Sequence, residues 1–94
     1  MPESVLMELL SSQTNLAVVR LPGRRFPGTV VQGDSLSILV AHARAIHARA
    51  SAGDDDELRD EAEDLLELLE TRQRHYESVL AEHGIELPYT RSDG

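Results

Sequence analysis

An α+β fold is predicted: a small antiparallel β-meander of two to three strands packed against a C-terminal antiparallel helical hairpin. Three observations carry this. Short apolar and β-branched runs punctuated by Pro-Gly pairs fill the first third of the chain, and two long stretches then repeat apolar residues at spacings of three and four. Ser51-Ala52-Gly53 breaks the pattern between those stretches. The 94 residues read as a single domain, 1–94. A chain of this size removes only about two-thirds of its unfolded surface from water, so it can build one modest core.

The meander is expected over 4–33. Ser4–Leu10 could be a strand or a short helix, and the brevity of the run before the turn-like S-S-Q-T-N at 11–15 favours a strand. Leu16–Leu21 is a more secure strand, because Val18 and Val19 prefer extended backbone and Pro22-Gly23 ends the run. Pro22-Gly23 and Pro27-Gly28 then bracket Arg24, Arg25 and Phe26 in a projecting connection, proline fixing φ and glycine accepting positive φ. The arginines should face water, while Phe26, the only Phe, should anchor the turn to the body. Thr29–Gln32 is the third extended run, and Gly33 gives the exit.

The first helix is expected over 34–51. Asp34 is the N-cap candidate, with Ser35 also able to cap, since a short oxygen-bearing side chain accepts from the unpaired first-turn amides. Leu36, Leu39, Val40, Ala43, Ile46, His47 and Ala50 form its apolar stripe. The second helix is expected over 54–83, with Leu58, Ala62, Leu65, Leu69, Tyr76, Val79 and Leu80 facing inward. Asp55/Arg59 and Glu70/Arg74 form i,i+4 pairs outside. Gly84 suits a C′ position, and the tail, 84–94, should fold Ile85, Leu87 and Tyr89 back before a frayed T-R-S-D-G end.

The net charge of −8 is unevenly placed. Residues 1–53 carry five Arg against Glu3, Glu8 and Asp34, whereas 54–94 carry fourteen acids against four Arg. This balance argues against binding the nucleic-acid backbone and suits a basic protein partner. The absence of cysteine excludes a disulfide framework or thiolate metal site. With no apolar run of about 20 residues and no signal-like N-terminus, a cytoplasmic protein away from the membrane is expected. All nine basic residues are Arg, a bias expected of a GC-rich bacterial genome.

The run R-L-P-G-R-R-F-P-G-T-V-V-Q-G-D-S-L, followed by two helices and H-G-I-E-L-P-Y, resembles a family of small bacterial proteins that is a domain of unknown function. The resemblance spans Val5 to Tyr89, and its distinctive part is 20–39. It implies a bacterial origin and brings no catalytic residue, substrate or cofactor.

No enzyme chemistry rises from the residues themselves. Glu61, Asp64, Glu67 and Glu70 recur at three-residue spacing, but a carboxylate metal site needs acids on a facing helix, and the first helix offers only Asp34. His42 and His47 are five apart and His75 lies on a polar face, so no histidine pair has metal-ligand spacing. Ser35 beside Asp34 is explained by capping. No catalytic residue, metal or cofactor is therefore expected.

Arg20, Arg24, Arg25 and Phe26 are the partner- or anion-binding candidates, since guanidinium groups on a rigid turn present paired donors in a fixed fork. Gly33, Asp34 and Ser35 are read as a structural cap. Two functional classes follow: a non-catalytic interaction protein with an acidic helical face, immunity- or antitoxin-like, or a small-anion or nucleotide sensor using the Arg24/Arg25 turn. A homodimer is expected as well. Leu65, Leu69 and Tyr76 centre the second helix's apolar stripe with Leu66 and Leu68 on its flanks, an arc of about 160° that one neighbouring helix cannot cover.

Overall fold

The structure, a computed structural model, describes residues 2–13 and 15–91. Three antiparallel strands in the order β1-β2-β3 precede two helices that form a hairpin, an α+β arrangement. The chain divides into two compact units, Met1–Gln32 and Gly33–Gly94.

In the first unit, β1 is Glu8–Ser11, β2 is Val18–Arg20 and β3 is Gly28–Thr29. The strand expected over 4–10 begins only at Glu8. Its register runs Glu8↔Arg20 and Leu9↔Val19, and beyond Arg20 the chain turns at Leu21-Pro22-Gly23, leaving nothing for residues 4–7 to pair with. Ser11, expected in the turn, belongs to β1, and a register shift between Leu9 and Ser11 lets Ser11 face Val18. The turn itself includes Thr14, which lies outside the described residues.

The third run is also displaced. With Val18 opposite Thr29 and Val19 opposite Gly28, residues 30–32 extend past the start of β2. Only a bond from the Val30 amide to the Ala17 carbonyl, 3.0 Å, continues the ladder. Gly28 therefore serves as a strand residue, and the second Pro-Gly pair does not close a turn. No described residue of this unit is buried.

In the second unit, α1 is Gly33–Ala52 and α2 is Asp56–Glu82. The seam residues of α1, Gly33, Leu36, Val40, Ala43, His47 and Ala50, alternate at three and four and are buried or half-buried. Those of α2, Ala62, Leu66, Leu69, Gln73, Tyr76 and Leu80, do the same. This is the 3-4 repeat of a coiled-coil seam, and its alanines let the helices approach closely.

The expected inward sets were too broad. Leu39, Ile46, Leu58 and Leu65 sit one position beside the seam and stay about half exposed, while Leu66 and the polar Gln73 take inward places. Apolar character alone assigned the face. Two helices side by side cover one 3-4 stripe on each, and the positions next to that stripe stay open to solvent on either side.

The cap at α1 differs from expectation. The helix starts at Gly33, so Asp34 lies inside the first turn, where Oδ1 accepts from the adjacent Ser35 amide at 2.9 Å. Neither Asp34 nor Ser35 is the N-cap, although Asp34 still places negative charge at the positive end of the helix. Gly33 is required by close approach: a Cβ there would fall within the Tyr76 ring. At α2, Asp55 is the N-cap, accepting from the Leu58 amide at 3.0 Å. The helix ends in a Schellman arrangement: Ile85 N donates to Leu80 O at 2.9 Å, Gly84 N to Ala81 O at 3.2 Å, and Gly84 takes φ +66°.

Candidate functional site

The arginine turn is built from the end of β2. Leu21-Pro22-Gly23-Arg24 closes with the Arg24 amide donating to the Leu21 carbonyl at 3.1 Å, and Gly23 has φ +77°, the type II geometry that glycine permits. Arg20 faces two ways. Its Nε donates to Glu8 Oε2 on β1 at 3.3 Å, and its Nη1 donates to the Arg25 carbonyl. Arg20 is thus held by the unit's own groups and braces the turn.

Arg24 and Arg25 are exposed and have no carboxylate partner among the described residues. The Arg25 guanidinium stacks over Phe26, 5.3 Å from the ring centroid. Phe26 does not anchor the turn as expected, because it is 74% exposed. Two cations without a carboxylate partner among the described residues and an exposed aromatic ring therefore share one braced loop.

In the second unit the two flanks of the hairpin differ. One flank is polar: Arg44 of α1 donates through Nε and Nη2 to Glu70 Oε2 of α2, at 3.1 and 2.9 Å. Glu70 was expected to pair with Arg74 on its own helix, but the closely held helices bring Arg44 within reach. The tail lies on this flank, where Tyr89 Oη donates to Glu77 Oε2 at 2.8 Å and Arg91 Nε lies 3.5 Å from Glu77 Oε1. Burial, then the bond to Glu77, pushes the Tyr89 phenol up to about 12. The other flank, set by helical geometry on the opposite side of the seam, carries Leu39, Ile46, Leu58, Leu65 and Leu68, each 45 to 58% exposed.

The outer face of α2 beside that apolar flank is strongly acidic. Residues 54–67 contain nine acids and one basic residue, Arg59, which pairs with Asp56 at 3.1 Å rather than with the capping Asp55. Glu61, Asp64 and Glu67 are exposed, whereas Glu70, expected to complete their row, is turned into the polar flank. His42 and His75 are exposed, and His47 lies 3.4 Å from the Ser51 hydroxyl. Among the described residues no group of three or more His, Asp or Glu is placed to hold a metal ion, and no helix is long and apolar enough to cross a membrane.

Sequence reasoning expected uncovered leucine surface on α2 but placed Leu58 and Leu65 inward, and it missed the polar cleft around Gln73 and Tyr89. The signal was present in the strict 3-4 alternation, which admits Leu66 and Gln73 and excludes Leu58 and Leu65.

These features define a class: a small α+β protein in which a short antiparallel meander with a braced arginine turn precedes an acidic helical hairpin. The chain belongs to the family of unknown function DUF6959, whose model matches residues 2–89. No curated protein and no solved structure matches it significantly.

Proposed function

We propose that the chain is a non-catalytic protein-interaction module that binds a basic protein through the outer face of α2, in the way immunity or antitoxin-type inhibitors neutralise basic toxins. The observation that supports this reading is the juxtaposition of the acidic run at 54–67 with the exposed side chains of Leu58, Leu65 and Leu68. Charges steer a partner and set specificity, while apolar anchors supply the buried contact that holds it. A purely solvated helix face has no use for three bare leucines.

The test is affinity capture at low salt with the native chain and with a Glu61→Arg, Asp64→Arg, Glu67→Arg variant. A basic protein retained by the native chain, eluted by added salt and lost from the variant, is the expected result. An unchanged set of captured proteins would remove the acidic face from consideration. A second reading rests on Arg24 and Arg25, whose charges are not neutralised by any described carboxylate: the turn binds a small anion or nucleotide. Thermal shift with phosphorylated metabolites, abolished in Arg24→Ser/Arg25→Ser, supports that reading instead.

A further inference from the structure

The tail, α1 and α2 enclose a cleft of about 380 Å³ on the polar flank of the hairpin, lined among others by Ser37, Arg44, Glu70, Gln73, Arg74 and Tyr89. Its size is at the lower end of the range of small-molecule pockets. Docking of the tail accounts for part of this lining. Glu77, whose side chain is only 13% exposed, is satisfied by Tyr89 and Arg91, and Arg44 by Glu70.

Other groups have no such task. Arg74 makes only a 3.3 Å bond to the Thr71 hydroxyl and has no carboxylate partner among the described residues. Gln73 places an amide in the α2 seam, whose other members are Ala62, Leu66, Leu69, Tyr76 and Leu80, and it lines the cleft together with Tyr89. Glu70 uses one oxygen, Oε2, for both bonds from Arg44, which leaves Oε1 able to accept from another donor.

The charge of this lining also runs against the molecule. Arg44, Arg74 and Arg91 face Glu70 and Glu77, one net positive charge in a chain of −8. We propose that the cleft binds a small organic anion bearing one carboxylate or phosphate group and at least one hydrogen-bond donor. Arg74 takes the oxyanion, the Gln73 amide and Tyr89 hydroxyl contact the body of the ligand, and Glu70 Oε1 accepts from its donor. The two acids in the wall disfavour polyanions such as nucleic acid, and the residues that line the cleft include none of the arginine turn at 24–26.

The experiment is an NMR titration of the labelled full chain with acetate, with inorganic phosphate and with glycerol phosphate, each against sodium chloride at equal ionic strength. Saturable changes at Gln73, Arg74 and Tyr89, weakened at least tenfold in Arg74→Gln and unaltered in Arg24→Ser/Arg25→Ser, are expected. The acetate and phosphate arms decide which oxyanion is preferred, and a tighter fit for glycerol phosphate than for inorganic phosphate shows that the cleft reads the ligand's body. Arg74→Gln keeps its fold because that side chain is exposed. Responses no different from chloride, equal binding by Arg74→Gln, or changes confined to 24–26 would each overturn the proposal.

Discussion

Gly33 and Tyr76 oppose two effects that act on the same atom. Replacing glycine by alanine near a helix start ordinarily stabilises by about 0.5–1 kcal/mol through the unfolded chain. Here the added methyl would occupy the Tyr76 ring, and overpacking a seam costs about 1–3 kcal/mol. Sterics should win, so Gly33→Ala is expected to lower the midpoint of denaturant unfolding, and a Tyr76→Leu background should shrink that loss because the two sites are coupled. A raised midpoint would show that the ring can move aside. Among the arginines the contrast is between bracing and display. Arg20→Ser removes the bonds to Glu8 and the Arg25 carbonyl and should speed hydrogen exchange at the Arg24 amide, which closes the turn. Arg24→Ser/Arg25→Ser removes exposed charge and the exposed Arg25 stack on Phe26, neither of which makes the backbone bond of the turn, and should leave that exchange rate unaltered.

Between residues and whole elements, the tail is the segment whose attachment can be titrated. The Tyr89 phenol rises from an unperturbed 10.0 to about 12, because it is partly buried and donates to Glu77. The folded state holds this proton more tightly than the unfolded chain does, so the contribution to tail docking is complete below pH 10.0 and is lost as pH rises through about 12. The Tyr89 ring carbon shift followed by NMR should report that midpoint, and Tyr89→Phe should abolish the alkaline release while loosening the tail at neutral pH. Element identity was legible in the sequence because its signals are local: Pro22-Gly23 stops β2, Gly84 caps α2, and the 3-4 repeats mark both helices. Register was not legible in the same way. Which of Leu65 and Leu66 faces α1 is set by the rotation of α2 about its own axis, and the length of β3 depends on where β2 begins rather than on the β-branched run itself. The cleft escaped notice for a related reason, since Arg44, Glu70 and Tyr89 are brought together only once the hairpin and its tail have closed.

For the whole molecule the open question is self-association, and the hairpin narrows the surface on which it would occur. Leu69 and Tyr76, expected to face inward at the centre of the apolar stripe of α2, lie in the seam within one chain. The surface left is the flank formed by Leu39, Ile46, Leu58, Leu65 and Leu68. Charge then restricts its geometry. On α1 Arg44 and Arg49 outnumber Asp34, whereas α2 carries ten acids against three arginines, so setting α2 against a second α2 would oppose like charges. A two-fold arrangement with α1 of one copy on α2 of the other matches signs and closes a four-helix bundle. Light scattering is expected to give twice the formula mass of 10.4 kDa, with Leu65→Glu returning the single-chain mass while helical circular dichroism is retained. A second copy and a basic protein would compete for Leu58, Leu65 and Leu68, and salt separates the two contacts. Two chains of charge −8 repel at long range, so screening should tighten the dimer, whereas attraction between α2 and a basic partner should weaken under the same change. A dimer that dissociates as salt is raised would mean that ion pairs, rather than the leucine flank, hold the copies together.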